Sequence, residues 1–297
     1  MRFLINRRDL LFGAACLANG AEGGKMKLAL SVRVAESFSN KEKTTLTTAE
    51  LIALAKQNGF QALCMRASQV GIHTPKAIAE AAAAGIRESG LKVSMVTGDF
   101  AVPKNDDQGP QCLRNIGPYL DLAQLFGSTL IRVCIKKDED IDWARKASDA
   151  AAKRGIRLAH QSHTTSLFET VDGSLRVLKA VGRANFGLIF EPANWLITDE
   201  DYVGGVAKLR PHIFNVYVQN HILRPEGKTV VTTWKRGPVN LDHIGLWEKG
   251  GVRCEAFFGA LRTAGYSGYV TIHQAFEGVM PVQEAVRKSA DYLRPLL

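Results

Sequence analysis

The residues that could do chemistry in this chain gather at the ends of apolar runs. The stretch Ile156 to Thr170, IRLAHQSHTTSLFET, opens as an aliphatic segment and then turns polar, bringing His160, Gln161, His163 and Glu169 close together. Three later runs end the same way: GLIFEPAN with Glu191 and Asn194, FNVYVQNH with Gln219 and His221, and YVTIHQAFE with His273 and Glu277. Arg66 and Arg132 belong to earlier apolar runs, and Asp99 and Asn105 sit in a polar loop after another. Imidazoles, amide oxygens and a carboxylate can ligate a divalent ion or move a proton, and guanidinium groups can hold hydroxyls or an anion. Each residue also has a structural role open to it. A lone strand-end histidine is often hydrogen-bonded framework, a buried arginine an ion-pair partner, and Glu169 is placed to cap the next helix. Four strand ends of one kind favour a shared site with His163, Glu191 and His273 at its centre.

Side chains alternate along a strand, so Gln161 and His163 share a side. The elements that must carry these residues follow one repeating order: apolar strand, polar loop, amphipathic helix, glycine. Strands are expected at 27–32, 61–66, 92–96, 129–135, from 156 onward, and at 186–191, 213–218 and 269–274. Thr47 with Glu50 reads as a capping box, and Gly59 as the stop of that helix. Further helices are expected over 75–90, over 111–127, from a cap at Asp140 to Gly155, over 173–182 and over 201–210. A long excursion from Gln219 to Gly251 carries Trp234 and Trp247, both read as packing residues. Eight units without a composition break predict one closed (β/α)8 barrel, an α/β fold, over 25–297. A doubly wound open sheet shares the pattern, yet SVRVAESFSNK lacks the glycine-rich phosphate turn of such folds. No P-loop, HExxH or GxSxG sequence occurs. A barrel places its site at the C-terminal ends of the strands, where these polar residues fall.

At 297 residues and 46% hydrophobic, the chain is long enough for one such barrel. Its net charge of +9 is scattered, which points to a solvated basic surface and away from nucleic acid. No apolar run is long enough to span a membrane in the mature form. The five cysteines show no CxxC spacing, so buried free thiols are expected and a zinc knuckle is not. The N-terminus pairs Arg7 with Arg8 ahead of a short apolar run from Leu10 to Ala18. That pattern predicts a twin-arginine signal peptide over 1–24 and export to the periplasm or beyond. A lipobox ending at Cys16 has Gly13 where leucine is wanted.

The segments QSHTTSLFET, FEPAN, VYVQNH and GYSGYVTIHQ resemble the xylose isomerase-like barrel superfamily of sugar phosphate isomerases and epimerases. The similarity runs from about Met26 to the C-terminus. In that family a Glu on strand five, an Asp on six, a His on seven and a Glu on eight commonly hold a metal. The two glutamates are also the acid–base pair of keto-sugar epimerases. By position these places fall to Gln161, Glu191, Gln219 (with His221 two residues on) and His273. The resemblance therefore implies one divalent ion, Mn, Co, Fe or Zn, on Gln161, Glu191, His221 and His273. His163 is then the base, at a position that also looks catalytic in the dehydroshikimate dehydratases of this fold. Arg66, Asp99, Asn105, Arg132 and Gln219 are left to hold the substrate. The expected activity is an exported, metal-dependent isomerase or epimerase acting on a sugar, keto-sugar or polyol through an enediolate. A lyase or dehydratase on an oxidised glycoside or cyclitol is the alternative, and a non-catalytic carbohydrate-binding barrel another. The DNA-repair relatives of the fold use a carboxylate-rich zinc cluster that these strand ends do not provide. The partner expected is a small carbohydrate, with a homo-oligomer compatible.

Overall fold

A computed structural model of the chain describes residues 24–37, 41–97 and 109–297. Its strands are β1 (Lys27–Ser31), β2 (Ala62–Met65), β3 (Lys92–Thr97), β4 (Leu130–Val133), β5 (Arg157–Gln161), β6 (Phe186–Phe190) and β7 (Ile213–Val218). An inserted group follows, β8 (His221–Leu223), β9 (Thr229–Thr233) and β10 (Gly237–His243), and then β11 (Tyr269–Ile272). Eight of these close a parallel barrel in the order β1-β11-β7-β6-β5-β4-β3-β2. The expected barrel is the observed fold. It leaves no open sheet edge, so the backbone polar groups of these short apolar runs are paired on both sides.

The helices between strands are α1 (Thr48–Gln57), α2 (Lys76–Glu88), α3 (Gln111–Arg114), α4 (Gly117–Leu125), α5 (Asp140–Ala152), α6 (Val171–Val181), α7 (Pro192–Ile197), α8 (Tyr202–Leu209), α9 (Cys254–Thr263) and α10 (Val282–Leu293). The Thr47–Glu50 capping box forms both of its reciprocal bonds, and Gly59 takes a left-handed φ of 67° after α1. Two local expectations need correction. The helix expected over 111–127 is two, because Pro118 can stand only in a first turn. Asp140 is the first residue of α5 and not its cap: its carboxylate accepts the Lys136 and Lys137 N–H groups, each at 2.9 Å, and pairs with Arg114.

Alternation along the strands builds the barrel interior in layers. Cys64, Met95, Leu130, Ala159, Ile189 and Tyr217 form a buried plug, separate from the larger core between strands and helices. Two residues further along the same strands, the same parity gives Arg66, Arg132, Gln161, Glu191 and Gln219. The apolar plug is thus a floor, and the polar layer lies directly above it at the C-terminal mouth.

The excursion after β7 is more ordered than a packing loop. Its strands form an antiparallel sheet, β8-β10-β9, with His243 opposite His221 and Gly237 opposite Thr233. Val239 and Leu241 pack on Ile197 at the end of α7, holding the sheet to the barrel. Glu169 fixes its tip. The buried carboxylate accepts the N–H of Trp234 at 3.0 Å and of Lys235 at 2.7 Å, and also that of Thr165. Glu169 is therefore a clamp and not a helix cap; Thr170 caps α6 by accepting from the Gly173 N–H. Lys235 adds an ion pair to Glu200 at 2.6 Å, and Arg236 donates to the Ile197 carbonyl. Trp247 packs against the core beneath Lys288, as expected of a packing residue. Trp234 does not: it is 57% exposed at the tip of the sheet.

Cys64, Cys112, Cys134 and Cys254 are buried free thiols. No helix among the described residues is long and apolar enough to cross a membrane. Apart from Gly24, the expected signal peptide over 1–24 lies outside the described residues, as do Asp99 and Asn105.

Candidate active site

Between the strand ends and the inserted sheet lies a cavity of about 460 Å³. Its walls bring together Arg66, Gln161, His163, Gln219, His221 and His273, residues the sequence had pointed to on five different elements. The inserted sheet supplies Thr229, Val231 and His243, and the tail of β1 supplies Arg33 and Lys41. These last were not singled out from the sequence. Arg33 lies in a 3-10 turn that follows β1, where strand parity no longer applies. Nothing local marks His243 or Lys41.

Glu191 and Arg132 lie behind this wall, both buried. Glu191 Oε2 accepts from Asn194 Nδ2 at 2.6 Å and from Gln161 Nε2. Its Oε1 and the Gln161 Oε1 have no hydrogen-bond partner among the described residues. Burial pushes the Glu191 carboxyl up to about 7, against the opposing pull of the Gln161 amide, Arg132, Gln219 and Arg33.

The histidines divide by what holds their ring nitrogens. His160 faces backbone carbonyls with both nitrogens, Gln161 at 2.5 Å and Ile135 at 3.2 Å, and stacks on Phe168. It is framework. His163 Nδ1 lies 2.8 Å from the Thr164 carbonyl, which can only accept, so Nδ1 carries the hydrogen and Nε2 the lone pair. Burial, with Arg132, Lys41 and Lys136 nearby, lowers its pKa to about 4 despite that hydrogen bond. At neutral pH it is an uncharged ring with a basic Nε2. His221 and His243 meet Nδ1 to Nδ1 at 3.0 Å, so one donates and the other accepts. Burial holds both below the usual histidine range, helped at His221 by His243 and at His243 by Arg33 and Lys41. His273 stacks on Tyr217 with ring centres 3.7 Å apart, and its Nδ1 lies 3.1 Å from Ser31 Oγ. Burial first, then Arg66, Arg132, Arg33 and Lys41, hold it well below the ordinary value.

Cations therefore dominate the field. Glu36 is the neutralising partner, accepting Arg66 Nε at 2.7 Å and Arg33 Nη1 at 3.4 Å. Arg66 Nη1 is left buried with no partner among the described residues. Lys41 is lowered to about 8 by burial and then by Arg33 and Arg66.

This arrangement does not fit a divalent ion on Gln161, Glu191, His221 and His273. Gln161 turns its amide N–H, not its oxygen, toward the carboxylate, and Asn194 donates to that same oxygen. Two amide donors thus occupy the place where a cation would sit. The cations that add to burial in lowering His273 oppose a metal by the same repulsion. Among the described residues no group of three or more His, Cys, Asp or Glu comes together as a metal site.

Several solved structures share the fold. A probable 3-DHS dehydratase, AsbF, from Bacillus anthracis aligns with TM-score 0.69 at 15% identity, over 91% of this chain and 99% of its own. The 3-keto-D-glucoside 4-epimerase YcjR of E. coli aligns with TM-score 0.63 at 16% identity, over 91% and 100%. The IolI protein, solved with a bound zinc atom, gives TM-score 0.70 at 14% identity, over 91% and 98%. At these identities the likeness is one of fold. A search of curated protein sequences gives no significant match. The family model described as xylose isomerase-like TIM barrel matches residues 52–296. With the barrel and its strand-end site in view, that match settles the family: the chain belongs to the xylose isomerase-like TIM barrels.

Proposed function

We propose that this protein is an enzyme that moves a proton on the carbon beside a carbonyl of a sugar-sized molecule. The carrying observation is His163: a neutral ring in the cavity wall whose Nδ1 donates to a carbonyl, so that Nε2 carries the lone pair of the base. Nε2 takes the proton, the electron pair moves onto the carbonyl oxygen, and an enediolate forms. The positive field of the cavity wall stabilises that oxyanion without reorganising. Passage of the neighbouring hydroxyl's proton to that oxyanion, and return of the carbon-bound proton from Nε2 to the former carbonyl carbon, complete an isomerisation. The divalent ion expected from the family resemblance has no part in this scheme, because the donor set does not suit it.

One fixed base bears on the reaction type. Epimerisation by the two-carboxylate route needs acid–base groups on both faces of the substrate, and Glu191 stands behind the cavity wall. Proton removal by His163 also suits elimination, in which the same enediolate expels a neighbouring hydroxyl that leaves as water with the proton His163 has taken up; this is the second reading. The family neighbours support the general class, since they include an epimerase and a probable dehydratase. A twin-arginine leader belongs to the proposal, which places the enzyme outside the cytoplasm.

The test is solvent exchange. A panel of keto- and aldo-sugars, polyol-derived ketones and sugar acids is incubated with the protein in deuterated water and followed by NMR. Deuterium beside the carbonyl of at least one member, lost with His163→Asn, is the expected result. No exchange in any member, or exchange undiminished in the variant, overturns the proposal.

A further inference from the structure

The cavity wall carries positive charge out of proportion to what balances it. Arg33, Arg66 and Lys41 line it, and no described Asp or Glu does. Glu36 serves the two arginines together but reaches Arg66 only through Nε. Arg66 Nη1 is left buried with an unspent donor, in a side chain that is 3% exposed. Lys41, half-buried at the same wall, has no ion-pair partner among the described residues. Holding a buried donor without an acceptor is costly, and a cation without a counter-ion more so. Such a pair persists most readily where a ligand supplies the missing oxygens. The volume of about 460 Å³ is that of a small-molecule site and suits one monosaccharide-sized ligand. The neighbouring histidines are neutral, so they offer hydrogen bonds without adding charge.

We infer that the ligand of this site is a sugar acid, its oxyanion held between Arg66 Nη1 and the Lys41 ammonium. Two cationic donors match the two oxygens of a carboxylate, so a uronate or aldonate fits better than a phosphate ester. Lys41 already titrates low among its cationic neighbours, and a bound carboxylate raises it again. This inference rests on the proton-transfer reading for the place of the site, but it makes its own claim about what is bound.

The test reads binding alone. Calorimetric titration at low ionic strength compares a panel of hexuronates and hexonates with the matching neutral aldoses and alditols, and with glucose 6-phosphate. The expected result is at least one acid bound about ten-fold or more tighter than its neutral counterpart, a preference that shrinks in high salt. Lys41→Gln removes most of that preference; Arg66→Gln does the same where it folds. Lys41→Gln alone is decisive if the Arg66 variant does not fold. Equal or weaker binding of every acid, a stronger preference for the phosphate ester, or a preference that survives Lys41→Gln overturns the inference. Acid binding without deuterium exchange removes the catalytic reading and leaves this one standing. Exchange with neutral sugars and no acid preference does the reverse.

Discussion

Replacing Glu169 by alanine should unlatch the sheet that roofs the cavity while leaving the barrel intact. The carboxylate is buried and accepts three backbone N–H groups, two of them, Trp234 and Lys235, from the tip of that sheet. A hydrogen bond to a charged group contributes about 1.5–3 kcal/mol, so losing both tip contacts costs the docked state roughly 3–6 kcal/mol. What remains is the Lys235–Glu200 pair, the Arg236 bond to the Ile197 carbonyl, and the apolar contact of Val239 and Leu241 with Ile197. A partly exposed ion pair such as Lys235–Glu200 adds about 1 kcal/mol. Local opening should therefore become easier by a factor on the order of 100 or more, at about 1.4 kcal/mol per ten-fold. Hydrogen–deuterium exchange by mass spectrometry reads this directly. Amides over 229–243 should exchange at least about a hundred times faster in Glu169→Ala. Glu169→Gln, which keeps one acceptor oxygen, should fall between, and amides of β4 to β6 should not change. Unaltered protection of the inserted sheet, or an equal loss throughout the barrel, would refute the clamp.

Other consequences are open to measurement. Burial raises Glu191 from 4.5 to about 7, so between those values the folded protein holds the proton that the unfolded chain has released. Stability from this group is full below pH 4.5 and is lost as pH rises through 7, by on the order of 3 kcal/mol. Urea midpoints of Glu191→Gln should lose that decline relative to wild type between pH 5 and 8; an unchanged difference would contradict it. The histidines act in the opposite sense. His160 and His163 are lowered to about 3 and about 4, so below 6.5 the unfolded chain binds more protons and stability falls with acidity. His163→Asn should soften the acid limb of the same titration. Gly187→Ala should destabilise the barrel by roughly 1–3 kcal/mol, because its Cβ would come within 2.5 Å of the His212 carbonyl and 2.6 Å of the Phe214 ring. A thermal midpoint equal to wild type would show that β6 and β7 yield there.

The barrel was legible because each apolar run and its following helix state the same period, and because turn and cap residues agree with it. The Thr47–Glu50 box shows this: its two reciprocal bonds form as the sequence says. The strand-end residues were legible for a related reason, since parity alone carries Arg66, Arg132, Gln161, Glu191 and Gln219 into one layer. What parity cannot tell is which of them reach open space. Glu191, one of the three residues that the sequence places at the centre of the site, lies behind Gln161 and Asn194, a depth set by packing between strands. The inserted sheet was hidden because TVVTT and PVNLDH are short, half-polar and meet only through the turn at 234–236. With it went His243, whose place depends on register against His221. Glu169 looked like a helix cap because its partners lie more than sixty residues away, at Trp234 and Lys235.

The most direct measurement is the pH dependence of deuterium incorporation by protein dialysed against a chelator, using the most responsive substrate of the panel. The expected profile holds through neutral pH without added metal and falls on an acid limb near 4, where His163 gains its proton. In His163→Asn the rate should drop to background at every pH. Incorporation that requires an added divalent ion, or an acid limb that persists in the variant, would contradict a metal-independent base at His163.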